Sequence, residues 1–144
     1  MSIPFQVTFD AADPASLAEF WAAALGYIVQ PPPAGFDSWD DWARKMEIPE
    51  ENWNDARALV DPEGEKPRIF FQRVPEGKKA KNRVHLDVNA GGGPDVDHAD
   101  RIHAVDQHVD DLIDLGATRV EVVARRGEYW IVMQDPEGNE FCVQ

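Results

Sequence analysis

The chain has 144 residues with 27 acidic and 14 basic side chains and a net charge of −13. It is sized for one domain. It is too acidic to grip a nucleic-acid backbone or an anionic membrane surface, since both partners demand clustered Lys and Arg. One cysteine, Cys142, leaves no intramolecular disulfide, no segment approaches the roughly 20 apolar residues of a membrane helix, and the first residues lack the basic and apolar stretches of a leader, so the expected setting is the cytosol.

Ile3 to Phe9 alternates, with Ile3, Phe5, Val7 and Phe9 on one side and Gln6 and Thr8 on the other, which predicts a strand. Asp13-Pro14 supplies an N-cap and a first-turn proline. Leu17, Phe20, Trp21, Ala24 and Leu25 then recur at helical spacing up to Gly26. Tyr27 to Gln30 begins a second strand, which Pro31-Pro32-Pro33-Ala34-Gly35 stops. Residues 31 to 56 read as an irregular insertion holding Trp39, Trp42 and Trp53, with a short helix over Ser38 to Met46.

Strands are expected at Arg57 to Val60 and Arg68 to Val74, on either side of the turn Asp61-Pro62-Glu63-Gly64. Arg83 to Asn89 alternates again, with Val84, Leu86 and Val88 opposite Arg83, His85, Asp87 and Asn89. After Gly91-Gly92-Gly93-Pro94, Ile102, Val105, Val109, Leu112 and Ile113 mark a second helix that ends near Gly116. The glycine run has neither the Lys-Ser/Thr ending of a phosphate loop nor the spacing of a dinucleotide fingerprint. Thr118 to Ala124, Tyr129 to Gln134 and Glu140 to Gln144 complete the strands, the last after Asp135-Pro136-Glu137-Gly138. The order is βαβββ twice, about residues 1–76 and 82–144. The repeated Asp-Pro-Glu-Gly turns and the repeated Leu-Gly helix ends (Leu25-Gly26, Leu115-Gly116) point to duplication.

With Phe20-Trp21, Val84-His85-Leu86-Asp87-Val88, Phe71-Gln72-Arg73-Val74-Pro75, Lys81-Asn82-Arg83 and the terminal Asp135-Pro136-Glu137-Gly138-Asn139-Glu140-Phe141, the chain resembles the glyoxalase/bleomycin-resistance (vicinal oxygen chelate) superfamily, in its glyoxalase-like branch. The resemblance implies an α+β fold in which two βαβββ modules curl a mixed sheet around a cleft, helices on the convex side. It further implies a divalent metal in the members that use one, held by one side chain from each of four strands. Those positions fall here on Gln6, Gln72, His85 and Cys142. Two neutral amides and no carboxylate make a weak set for a hard divalent ion. No cofactor is therefore expected, a divalent metal being the one the family admits, and glyoxalase chemistry on glutathione conjugates is not expected.

His85 is the leading catalytic or ligand-binding candidate, because an imidazole can donate, accept or relay a proton; the alternative is a histidine that merely holds Asp87 or a backbone carbonyl. Thr8 and Asp87 share the polar strand faces with Gln6 and His85, and Glu140 shares a face with Cys142. Cys142 reads either as an apolar filler or as a thiol served by His85. Trp39, Trp42 and Trp130 could wall a ligand cleft, or the insertion's tryptophans could anchor it to the core or to a second subunit. His98, His103 and His108 do not share one helical face and read as surface or boundary residues.

Three functions stay open: a small-molecule-binding protein without a strong metal site; a divergent metal-dependent lyase, isomerase or dioxygenase; and a protein-interaction module using the Trp-rich insertion. A homodimer is compatible with all three.

Overall fold

The computed structural model describes residues 1–144. The chain is α+β and falls into two compact units, one of Met1–Ala22 with Gly26–Gly77, the other of Ala23–Leu25 with Lys78–Gln144. Each unit carries one four-stranded mixed sheet.

In the first unit, β1 (Val7–Ala11) leads into α1 (Pro14–Leu25). Asp13 caps α1 by accepting the Ser16 N–H at 3.3 Å, Pro14 takes the first turn, and Gly26, at φ 68°, ends it in the left-handed conformation. The helical stripe points inward: Leu17, Phe20 and Trp21 are at most 3% exposed. The Phe9 ring lies 5.1 Å from that of Trp21 and 5.2 Å from that of Phe71, so sheet and helix lock through aromatic packing. β2 (Ile28–Val29), β3 (Ala56–Val60) and β4 (Ile69–Arg73) complete a sheet in the order β1-β4-β3-β2, with β1 and β4 parallel.

The strand expected from Ile3 begins four residues late, and Ile3 and Phe5 are 87% and 70% exposed. Pairing explains the shift. Val7 is the first residue opposite Ile69, and its N–H donates to Arg68 O at 3.0 Å, while residues 3–6 have no β4 neighbour to pair with. Alternation makes a strand only where a partner strand runs beside it.

Between β2 and β3 the insertion folds a short helix, α2 (Trp39–Lys45), and a 3₁₀ turn at Glu50–Asn52. Ser38 Oγ caps α2 by accepting the Asp41 N–H at 3.0 Å. Asp40 and Asp41 in its first turn and Arg44 and Lys45 in its last complement the helix dipole. One indole ties the insertion to the end of β2, Trp39 Nε1 donating to Gln30 O at 2.7 Å, and another braces it internally, Trp53 Nε1 donating to Ile48 O at 2.9 Å.

The second unit repeats the plan with β5 (Asp87–Val88), α3 (His98–Asp114), β6 (Thr118–Arg125), β7 (Glu128–Gln134) and β8 (Glu140–Val143), in the order β5-β8-β7-β6. The strand expected over Arg83 to Asn89 shortens to two residues, and Val84 is 83% exposed. Val105, Val109 and Leu112 of α3 are buried, but Ile113 is 38% exposed, so the stripe is narrower than its sequence suggests. Ile131, Met133, Phe141 and Val143 form the sheet side of the core.

The two Asp-Pro-Glu-Gly turns close in the same way. Asp61 accepts N–H groups from Glu63, Glu65 and Lys66, and Asp135 from Glu137 and Asn139. Both aspartates are buried. Burial pushes the Asp61 carboxyl up, but its three backbone donors outweigh that and hold it below the usual value.

Candidate functional site

Each unit leaves one sheet face away from its helix, and each has a cavity of its own. In the second unit, β8 runs parallel to β5 with Asp87 opposite Cys142. Val88, Phe141 and Val143 turn to the core, so Asp87 and Cys142 turn the other way. His85 lies on the same side two residues earlier, and its Nε2 is 3.5 Å from Asp87 Oδ1. The donor atoms of His85, Asp87 and Cys142 all lie within 4.8 Å of one another.

These three side chains line a polar cavity of about 600 Å³. Arg101, Tyr129 and Trp130 line it too. Arg101 Nη2 donates to Gly93 O at 2.8 Å, and Tyr129 Oη donates to Asp106 Oδ1. Burial and the Asp106 carboxylate push the Tyr129 phenol up to about 12, so it stays a proton donor. Burial, followed by the Asp87 charge and a hydrogen bond to Asp87, raises the Cys142 thiol, with Lys81 opposing. That is the reverse of what a nucleophilic cysteine needs.

Imidazole, carboxylate and thiol are a donor set suited to a borderline ion such as zinc, and three protein ligands would leave a coordination position open. A bound cation would also reverse the local pressure on the thiol. The residues therefore fit a metal, through Asp87 as well as His85 and Cys142.

The other expected site residues have different neighbours. Gln6, Thr8 and Gln72 belong to the first unit. Gln6 Oε1 accepts from Arg68 Nη1 at 2.9 Å, and Gln72 Nε2 donates to Asp10 Oδ1 at 2.8 Å. Thr8, opposite Phe70, shares their sheet face. Glu140 is held by the Asn82 N–H at 3.0 Å and by Lys78 Nζ at 3.0 Å, which bring its carboxyl down to about 2. Trp39 and Trp42 meet edge to face at 5.5 Å in the first unit's cavity. Trp130 stays in the second unit, with the Arg125 guanidinium over its ring.

Sequence reading missed Arg101 and assigned His98 to the boundary, yet both line the polar cavity. The signal lay in Gly91-Gly92-Gly93. A Cβ on Gly91 would sit 2.5 Å from Arg101 Cγ and 3.3 Å from the Gln144 carbonyl carbon, so the glycine lets Arg101 lie along the loop. His103 is exposed, and His108 Nε2 lies 3.0 Å from Ala24 O.

A family model described as a glyoxalase-like domain matches residues 6–144. No curated protein matches the sequence. A glyoxalase/bleomycin resistance protein/dioxygenase family enzyme from Burkholderia phytofirmans is similar in structure, with a TM-score of 0.59 and 19% identity over 96% of this chain and 94% of its own. A fosfomycin resistance protein, FosX, from Listeria monocytogenes, complexed with Mn(II) and 1S,2S-dihydroxypropylphosphonic acid, gives 0.61 and 11% over 100% and 90%. A possible glyoxalase from Bacillus cereus gives 0.62 and 13% over 100% and 99%. At these identities the likeness is one of fold. No helix is long and apolar enough to cross a membrane.

Proposed function

The chain belongs to the glyoxalase-like domain family, and from that premise we propose that it is a small-molecule-binding protein that holds a polar ligand in the cavity of its second unit. The observation that carries this reading is the meeting of His85, Asp87 and Cys142 on one side of that cavity, with Arg101 and Tyr129 among its walls. His85 is the ligand-contacting group and the one able to move a proton. Asp87 orients its ring at 3.5 Å. Arg101 offers positive charge, and Tyr129, whose proton is given to Asp106, presents an acceptor oxygen.

A thermal-shift screen of small polar compounds tests it. A true ligand at a hundred times its Kd stabilises by about 2.7 kcal/mol. That shift is expected to vanish in His85→Ala and to persist in Gln72→Ala. Hits that shift both variants equally would remove His85 from the role.

The same trio favours a second reading, a divergent metal-dependent lyase, isomerase or dioxygenase. Elemental analysis of the purified, tag-free protein after dialysis against zinc or manganese decides between them. About one ion per chain, lost in His85→Ala and in Asp87→Ala, supports the metal enzyme. No retained ion leaves the metal-free binding protein.

A further inference from the structure

The first unit has a cavity with different chemistry. It measures about 280 Å³ and sits beneath the insertion, over the sheet face that carries Ala56, Ala58 and Phe70. Trp39, Trp42 and Trp53 wall it, all half-buried. Trp39 and Trp53 offer no N–H to a guest, because theirs are already donated to the Gln30 and Ile48 carbonyls. The rings are left to contribute apolar surface, and that favours an aromatic guest.

Two arginines line the same cavity, Arg68 from the residue preceding β4 and Arg57 from β3. The guanidinium of Arg68 lies over the Phe70 ring, 5.2 Å from its centre, and donates to Gln30 Oε1 at 2.6 Å and Gln6 Oε1 at 2.9 Å. Arg57 Nη1 donates to the Trp53 and Ala56 carbonyls at 2.6 and 2.8 Å. Every one of these acceptors is neutral, and neither arginine forms an ion pair. In a chain of net charge −13, two half-buried guanidiniums without a carboxylate are unusual company for each other. Acidic residues do line the cavity. Of these, Asp55 is paired with Arg73 at 3.3 Å, and Asp40 is exposed in the first turn of α2. A partly desolvated cation without a counter-ion is costly, and a ligand anion would offset that cost.

We propose that this cavity binds a planar aromatic carboxylate of about one or two fused rings, its ring system among the tryptophans and its carboxylate on Arg68, with Arg57 as the supporting charge. Both guanidiniums are held in place before the ligand arrives, which lowers the entropy lost on binding. All of its lining residues belong to the first unit.

The test is calorimetric titration of the full chain with 1-naphthoate and with 1-naphthalenemethanol, its uncharged counterpart. Naphthoate is expected to bind at least tenfold more tightly than the alcohol. Arg68→Met is expected to weaken naphthoate at least tenfold and to change the alcohol less than threefold. Arg57→Met gives a smaller loss of the same kind and serves as the second variant should Arg68→Met fail to fold. Equal binding of acid and alcohol, no binding of either, or naphthoate binding untouched by both substitutions would overturn the proposal. His85→Ala keeps the two sites apart. Naphthoate binding unchanged in that variant supports a first-unit site, and its loss would assign the ligand to the second unit and overturn the inference.

Discussion

The two units share an element order and a sheet order, yet their cavities are opposites. The first is small, aromatic and roofed by an insertion. The second is larger, polar and bordered by a glycine loop and the start of α3. The scaffold residues explain the likeness. Phe71 on β4 and Phe141 on β8 are both fully buried between sheet and helix. The difference comes from the residues of the sheet that border each cavity: Ala58 and Phe70 on β3 and β4 in the first, Asp87 and Cys142 on β5 and β8 in the second. A βαβββ unit thus fixes where a site can form, and the residues with no core duty fix its chemistry.

Equal scaffolds should fail equally. Phe71→Ala and Phe141→Ala are each expected to cost about 3–5 kcal/mol in denaturant unfolding; costs that differ by more than about 2 kcal/mol would break the equivalence. Acid sensitivity should separate the units. Two residues beyond the turn glycine the second unit has Glu140, whereas the first has Lys66. The folded pKa of Glu140 is about 2 against an ordinary 4.5. Its contribution is therefore complete above pH 4.5 and drains away as pH falls toward 2. Glu140→Gln should be less stable than the parent near neutrality, with the gap closing across that window. A gap that stays constant with pH would show that the carboxylate is not the source.

The roof of the first cavity is a more local matter. Ser38→Ala removes the cap of α2 and should cost that helix about 1 kcal/mol. Limited proteolysis should then cut within residues 31–56 sooner, with the polar cavity unaltered. The smallest effect concerns Cys142. Asp87→Asn removes the negative charge that disfavours the thiolate, so alkylation by iodoacetamide at pH 8 should speed up about two- to fivefold. An unchanged rate would mean that burial alone protects the sulfur.

Much of this fold was legible because its signals are local. Asp13-Pro14 and Gly26 bound α1, Ser38 starts α2, and the proline-glycine turns separate the strands. What failed was pairing. Ile3, Phe5 and Val84 carry good strand patterns but no neighbouring ladder, and nothing in a pattern states where the partner strand begins. The site divides the same way. His85 and Asp87 share a face by alternation, so their meeting followed from the sequence. The partnership of Asp87 with Cys142 depends on the β5–β8 register, and that of Arg101 with the cavity on the missing Cβ of Gly91. Gln6 and Gln72 were named from their family positions, and their hydrogen-bond partners Arg68 and Asp10 were not foreseen.

The buried aspartates of the two turns have one more consequence. Asp61 and Asp135 spend their oxygens on the few residues that follow them. Such a turn carries the acceptor for its own closing hydrogen bonds. It can be copied, moved to a new neighbourhood and kept while everything around it drifts. A segment that closes itself is a unit of inheritance as much as a unit of structure, and the same four residues, Asp-Pro-Glu-Gly, stand in both units.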